Sequence, residues 1–412
     1  MTTRKRLILG VLAACISAGI LATGMILDAQ EKEPIKIGWI GPVSGALAPG
    51  GTAIQRGALL AIDHINAAGG IDGRKLVLIP RDSEANPAKA VTVARQLIDQ
   101  EGVYALIGKY DSSSAKALNP VIHEAGVPMM ISIAAATKNV EYERNPNFMF
   151  RTSGNDTYIA EFLVDFVVKE LGATRVAIGY EDTGYGFGGR DDITKALEGR
   201  GMKPAAAVKF SRPDTDMTAQ ALVVKQANAD MIILYSIAKA DAIMIRSLDK
   251  VGVKIPVVCA WAASSPELPQ FGGLLANGVF VMQTYSFLSP NLDSLGQRAL
   301  ADFMKKHNLK DPSEIVTPAF TAHAHDGMLL LAEAIKRAKL SYAPANLTQD
   351  RRKIRDALEN NLGPVQGLIK TYNPAFTKDN HDSIGPKDYI MTVWREGKLI
   401  PYKGKYDWGR KS

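Results

Sequence analysis

Short apolar runs alternate with amphipathic segments along most of this chain, and this alternation constrains the fold more than any other feature. Ile35–Ile40 is typical of a buried strand, and the segment after it places Ile54 and Ala58 on one helical face. The same order repeats in two series, before and after about residue 151. Strands that alternate with helices predict parallel sheets covered on both faces. We therefore predict an α/β protein with two doubly wound lobes, for which 412 residues suffice.

The first 30 residues are different, because Arg4, Lys5 and Arg6 precede the uncharged run 7–27. A basic start before a hydrophobic segment is typical of export. Three interpretations stay open for residues 1–30: a cleaved signal peptide, an uncleaved anchor formed by residues 7–27, or lipidation at Cys15. The run of 21 residues approaches the length needed to span a bilayer. All three interpretations place the folded part outside the cytoplasmic membrane, in the periplasm.

Composition excludes several function classes. The net charge of +7 is spread along the chain without the basic stripe of a nucleic-acid surface, so no nucleic-acid partner is expected. Cys15 and Cys259 are the two cysteines, so no disulfide is expected within the folded part. His323 and His325 lie two residues apart on a predicted helix and point in different directions, which argues against a metal site. No motif of a hydrolase or metalloprotease is present, and we expect neither an enzyme nor a cofactor.

One motif favours an enzyme and has to be weighed. Residues 184–189 satisfy the spacing G-x-G-x-x-G between a predicted strand and a predicted helix, as in dinucleotide-binding folds. Glu181 and Asp182 precede the motif and would repel a pyrophosphate. The next strand ends in Lys209–Arg212, where a ribose-binding acid would be expected. These departures argue against a dinucleotide.

Hydroxyl groups follow two predicted strands. Ser112 and Ser113 open a helix after one strand, and Ala135, Ala136 and Thr137 follow the next strand. Hydroxyls and free N–H groups at a helix N-terminus suit a small carboxylate, and ligands of open α/β sheets lie at such strand ends. The alternative is a serine that only caps its helix.

Two further residues are candidates for the second lobe. Asp156 precedes a helix and either caps it or holds an ammonium group, which needs a carboxylate partner when it is removed from water. Tyr185 lies in the glycine-rich stretch, where its ring either covers a ligand or lies on the surface of a turn.

Several short stretches, taken in their order and spacing, resemble the periplasmic leucine/isoleucine/valine-binding proteins, the receptors of branched-chain amino acid ABC transporters. The matching stretches are Ile37-Gly38, Ser44-Gly45, Gly57-Ala58, residues 65–74, Asp82, residues 87–91, Ile107-Gly108, residues 112–114, Ala125 to Pro128, Phe150-Arg151-Thr152 and Tyr185-Gly186. The resemblance runs from about Ile35 to Gly363.

The resemblance implies a type I periplasmic binding protein fold, with two lobes joined by three hinge crossings near Arg151, Thr284 and Gly363. The first lobe would take residues 31–153 and 283–362, and the second residues 154–282 and 363–412. It also implies a monomer that delivers a small-molecule ligand, an amino acid or a related carboxylate or amide, to a transporter permease in the membrane. A sensory ligand-binding domain of the same fold is the alternative.

The family pattern also assigns site residues. Ser112, Ala135 and Thr137 match its carboxylate-binding positions, Asp156 its ammonium-binding acid, and Tyr185 its loop tyrosine. Three positions depart from the pattern, since a small Pro49-Gly50-Gly51 stretch replaces an aromatic residue, and Ala238 and Trp261 replace a tyrosine and an acid. These departures are compatible with a bulkier or aromatic amino acid, with a carboxylate or amide that lacks an α-amine, or with a leucine-like ligand.

Overall fold

The computed structural model describes residues 32–140, 143–360 and 362–404. The three interpretations of residues 1–30 concern a segment outside the described residues. No helix in the described ranges combines the length and the apolar character that a bilayer crossing requires.

The first lobe is built on a five-stranded parallel sheet in the order β2-β1-β3-β4-β5. Its strands are β1 (Ile35–Gly41), β2 (Leu76–Asp82), β3 (Ala105–Gly108), β4 (Met129–Ile131) and β5 (Met149–Arg151). Its helices are α1 (Ala48–Ala67), α2 (Pro87–Arg95), α3 (Ser112–Ala125) and, later in the chain, α9 (Ser294–His307), α10 (Pro318–Ala338) and α11 (Leu347–Glu359). Helix α3 begins where the Asp111 carboxylate accepts a hydrogen bond from the Ser114 N–H at 2.7 Å.

The second lobe is built on a seven-stranded sheet in the order β14-β13-β10-β9-β8-β6-β7. The strands β6 (Val176–Glu181), β7 (Ala206–Phe210), β8 (Met231–Tyr235), β9 (Val257–Cys259) and β10 (Phe280–Gln283) are parallel. The remaining two, β13 (Ile390–Arg395) and β14 (Lys398–Pro401), extend the sheet in antiparallel fashion. Its helices are α4 (Asp156–Asp165), α5 (Gly184–Glu198), α6 (Thr218–Gln226), α7 (Ala238–Lys250) and α8 (Glu267–Gly272). The predicted α/β fold with two doubly wound lobes is confirmed.

Each sheet has a point at which the strand order reverses, between β1 and β3 in the first lobe and between β6 and β8 in the second. Ligands of open α/β sheets bind at such points, beyond the carboxyl ends of the strands. The segments that follow β3, β4, β6 and β8 meet between the lobes and form the cleft described below.

The last crossing between the lobes differs from the prediction. After Gly363 the chain forms a hairpin, β11 (Val365–Gln366) and β12 (Thr371–Tyr372), on the first lobe. Asp326 of α10 accepts hydrogen bonds from the Leu368 N–H at 2.7 Å and from the Tyr372 hydroxyl at 2.9 Å. Because these contacts are all with the first lobe, we place the third crossing at residues 384–389, immediately before β13, and not at Gly363.

Candidate ligand-binding site

A small cavity lies between the lobes, at the carboxyl ends of the strands. The space open to the centre of a water molecule is about 20 Å³, so the two lobes almost touch and amino-acid-sized ligands require some separation. The lining residues of the first lobe are Leu47, Tyr110, Asp111, Ile133 and Ala135, and those of the second lobe are Tyr185, Arg212, Ile237, Trp261 and Ala262. Three predicted site residues, Ala135, Tyr185 and Trp261, line this cavity.

Asp156 is fully buried at the start of α4 and does not cap it, because the cap is Asn155, whose side chain accepts the Thr157 N–H at 2.9 Å. The Tyr235 hydroxyl donates to Asp156 Oδ1 at 2.5 Å, whereas Oδ2 has no hydrogen-bond partner among the described residues. Burial raises the pKa of this carboxyl to about 7. A β-carbon at Gly188 would lie 3.5 Å from Oδ2, so a glycine there leaves space around the carboxylate.

Tyr185 lies in the first turn of α5, not on the surface of a turn, because this helix begins at Gly184 and includes the glycine-rich stretch. Its ring is 7% exposed and its centroid lies 4.7 Å from that of Tyr235. The Tyr185 hydroxyl is buried and has no partner in the described part of the chain. The Tyr185 side chain is therefore held in place, and its hydroxyl remains available to a ligand.

The glycines of the G-x-G-x-x-G stretch serve close packing of α5 against the sheet. A β-carbon at Gly186 would lie 1.9 Å from the Glu181 carbonyl oxygen, and one at Gly189 would lie 2.1 Å from the Tyr235 ring. Helix–sheet packing therefore accounts for two of the three glycines without a dinucleotide.

The hydroxyl groups predicted to bind a carboxylate gather around Ala135 but serve different contacts. Ser112 Oγ accepts the Ala136 N–H at 3.3 Å, within the first lobe. Ser113 Oγ accepts the Gly184 N–H at 3.2 Å, from α5 of the second lobe. These side chains do not line the cavity in this closed arrangement.

Thr137 also departs from its expected role, since its hydroxyl is engaged with the second lobe. It lies 2.9 Å from Asn155 Oδ1, 3.0 Å from Thr157 Oγ1 and 3.1 Å from Asp192 Oδ2. In this arrangement Thr137 links the lobes and does not face the cavity.

Arg151, at the first crossing, holds the backbone of the Ala135 loop. Its guanidinium donates to the carbonyl oxygens of Ala135 and Ala136, each at 2.9 Å, and to Asp382 Oδ1 at 2.6 Å. Arg151 and Asp382 are both buried, and Asp382 also accepts a hydrogen bond from Asn155 at 2.8 Å. Residues near the first and third crossings are therefore tied to each other and to the loop by charge-assisted bonds.

Arg212 and Tyr110 line the cavity and were missed from the sequence. Arg212 follows β7 and donates two hydrogen bonds, at 3.0 and 2.5 Å, to the fully buried Glu181 at the end of β6. The strands β6 and β7 are parallel neighbours, so their carboxyl ends meet. Both residues follow strands, which is the signal by which the sequence could have marked them as cavity residues. The sequence does not show which strands are neighbours.

Trp261 forms part of the cavity wall and is 1% exposed. Its ring meets Phe320 and His323 of α10 edge-on, with both pairs of centroids 5.4 Å apart. His323 is buried as well, and burial lowers its pKa to about 4. Across the described ranges, no group of three or more metal-ligating side chains lies close enough to hold an ion.

Comparisons with known proteins agree with a two-lobed binding protein. A family model described as periplasmic binding protein matches residues 34–398. The chain belongs to the periplasmic binding protein family. This confirms the resemblance found in the sequence, and it confirms that the family role is binding and not catalysis.

One relative and two solved structures that match most of the chain have names that state a ligand. The Leu/Ile/Val-binding protein homolog 3 of Brucella melitensis is 26% identical over 89% of this chain and 93% of its own. The branched-chain amino acid transporter substrate-binding protein of Streptococcus pneumoniae, solved with isoleucine, is 25% identical, with a TM-score of 0.76 over 89% of this chain and 97% of that chain. A solute-binding protein of Rhodopseudomonas palustris, solved with 4-hydroxybenzoate, shares the fold at 22% identity and a TM-score of 0.73 over 92% of this chain and 99% of that chain.

Proposed function

We propose that this protein binds a small amino acid, or a related carboxylate or amide, by closing its two lobes on it. The observation that carries the proposal is the Asp156 carboxylate, fully buried with one oxygen unpartnered among the described residues. A buried carboxylate oxygen without a hydrogen-bond donor is costly. A ligand ammonium group would supply both the donor and the opposite charge.

The groups around Ala135 suit the carboxylate of the same ligand. Ser112 Oγ and the Ala136 N–H lie 3.3 Å apart, next to the N-terminus of α3, where an anion is favoured. The Asp156 N–H donates to the Ala135 carbonyl oxygen at 2.9 Å, so the carboxylate and ammonium groups would bind side by side. This is the arrangement that a zwitterionic amino acid needs.

We further propose that the protein works in the periplasm and delivers its ligand to the permease of an ABC transporter. The proposal rests on relatives named as Leu/Ile/Val-binding proteins and on a structural neighbour named as a transporter substrate-binding protein. Ligand groups that contact both lobes favour the closed form by their difference in affinity for the two forms. A transporter that recognises the closed surface would thereby distinguish loaded from empty protein.

The test is calorimetric titration with L-leucine and L-phenylalanine, each paired with its des-amino analogue. We expect Asp156→Asn to weaken the binding of the amino acids by about 10- to 100-fold and to change the binding of the des-amino analogues little. The reason is that only the amino acids carry an ammonium group. Asp165→Asn, at the far end of the same helix, is the control and should leave every affinity unchanged. Equal losses for both members of a pair would remove Asp156 from the ammonium site.

A further inference from the structure

Arg212 lines the cavity, and part of its guanidinium is not used in hydrogen bonds among the described residues. Its Nε and Nη2 both donate to Glu181, and Glu181 is itself held by the Thr183 hydroxyl at 2.6 Å. Nη1 makes no hydrogen bond within the described residues, and the side chain lines the cavity between the lobes. The ion pair therefore fixes the guanidinium and leaves one N–H edge for a ligand.

Tyr110 supplies a second donor from the first lobe. Its ring packs edge-on against Phe320 at 5.4 Å, and a β-carbon at Gly50 would lie 3.1 Å from it, so the ring has little freedom. Burial raises the pKa of Tyr110, so the hydroxyl keeps its proton, and the positive charge of Arg212 is close enough to oppose that rise. No hydrogen bond to this hydroxyl occurs in the described part of the chain.

The charges around this pair of donors select the kind of ligand atom. Arg212 is neutralised by the buried Glu181, and the carboxylate of Asp111, which also lines the cavity, interacts with the buried Lys109. A ligand carboxylate at this end would therefore find no surplus positive charge to balance it in a site of low dielectric. A neutral oxygen would accept both hydrogen bonds without that cost.

We infer that the ligand carries a neutral hydrogen-bond acceptor, such as a carboxamide oxygen, at the end distal to its amino and carboxylate groups, and that Arg212 and Tyr110 bind it. This inference rests on the proposed function, since the ammonium and carboxylate groups orient the ligand. The apolar side chains of Ile237 and Trp261 line the space between and suit a short methylene chain.

The experiment compares L-glutamine, L-glutamate and L-leucine by calorimetric titration of the full chain. In the wild type we expect L-glutamine to bind at least about tenfold more tightly than the other two, because L-leucine lacks the acceptor and L-glutamate brings a negative charge that this end of the cavity does not balance. The double variant Arg212→Met/Glu181→Gln removes both charges together, so no buried charge is left alone. The affinity of this variant for L-glutamine should be about tenfold or more below that of the wild type, and its affinity for L-leucine should stay within about threefold of the wild-type value.

Two single variants sharpen the test. Glu181→Gln leaves the guanidinium uncompensated, so L-glutamate should gain relative to L-glutamine. Tyr110→Phe keeps the ring and removes only the hydroxyl, and it should weaken the binding of L-glutamine but not that of L-leucine. Thermal unfolding shows whether the double variant folds. If it does not, Tyr110→Phe still tests the inference.

The possible failures are distinguishable. A wild type that prefers L-leucine, with affinities unaffected by the double variant or by Tyr110→Phe, overturns the distal acceptor and leaves the amino-acid site intact. A folded wild type that binds none of the three amino acids overturns the proposed amino-acid site, and the inference with it.

Discussion

Asp156 couples the site to proton binding. Its pKa is raised to about 7 by burial, whereas an aspartate in the unfolded chain has its ordinary value near 3.8. The folded protein therefore retains a proton that the unfolded chain releases between about pH 4 and pH 7. Because the unfolded state binds fewer protons in this window, the stability of the unliganded protein falls as pH rises through it.

Replacing Asp156 by asparagine removes this penalty while keeping the shape of the side chain. We expect Asp156→Asn to be more stable than the wild type at pH 8, by up to about 4 kcal/mol for a shift of roughly three pKa units, and similar to it at pH 4. Urea unfolding without ligand at pH 4, 6 and 8 measures the difference. Asp241→Asn is a useful comparison, because burial raises the pKa of that carboxyl to about 8 in the same lobe. A variant that is less stable than the wild type at pH 8 would contradict the assigned pKa shift.

The candidate site could be predicted from sequence only in part, for reasons visible at single residues. Asp156, Ala135 and Tyr185 follow predicted strands or precede predicted helices, and the family pattern marks them. Thr137 matches the same pattern, yet its hydroxyl is engaged by Asn155, Thr157 and Asp192, contacts that depend on how the lobes meet.

Arg212 shows the other limit, since its role depends on a partner, Glu181, 31 residues earlier in the chain. Only the pairing of β6 with β7 brings the two together. Residue spacing alone does not encode which strands become neighbours in the sheet.

Among the elements, α5 makes direct contacts across the cleft. Its first residue, Gly184, donates to Ser113 Oγ at 3.2 Å. Asp192, on the third turn of the helix, lies 3.1 Å from Thr137 Oγ1. The same helix carries Tyr185, which lines the cavity. Helix α5 therefore brings the ligand-facing ring and two links to the first lobe together on one rigid element.

Removing both links should favour the open form. We expect Ser113→Ala/Asp192→Ala to speed ligand release by about 5- to 150-fold with little change in association, since each of the two hydrogen bonds contributes roughly 0.5–1.5 kcal/mol to the closed form. Stopped-flow tryptophan fluorescence with L-glutamine or L-leucine reports both rates. Asp191→Ala is the matched control, because this exposed neighbour forms its ion pair with Arg190 of the same helix. An unchanged release rate in the double variant would show that these links do not limit opening.

The alternation of strands and helices predicted the architecture well, but not its last segment. Strands and helices before β11, such as β1 and α1, follow local patterns of apolar residues. The hairpin of β11 and β12 has few buried residues of its own and is held by Asp326, about 40 residues earlier in the chain. Such long-range attachment of a short, irregular segment has no signature in local sequence, so the third crossing was placed too early.

At the scale of the whole molecule, closure should be visible as a change in shape. We expect the wild type to contract on addition of saturating ligand, measured by small-angle X-ray scattering. Trp261→Ala should contract less and release ligand faster, because the indole of the second lobe packs on Phe320 and His323 of the first. The same should hold more weakly for Tyr185→Ala. Identical wild-type profiles with and without ligand would argue against closure as the binding mechanism.

The attachment of α10 to the first sheet has a consequence for how the chain is made. The strands of that sheet end at Arg151, yet the helix that packs on α1 and against β3 spans Pro318–Ala338. A β-carbon at Gly57 would lie 2.1 Å from the Thr321 carbonyl oxygen, so the two helices fit together without space to spare. During synthesis, the first lobe cannot be completed until most of the second lobe has been made. An apolar face of the first lobe therefore stays uncovered until α10, about 170 residues downstream of the last strand of that lobe, has been synthesised.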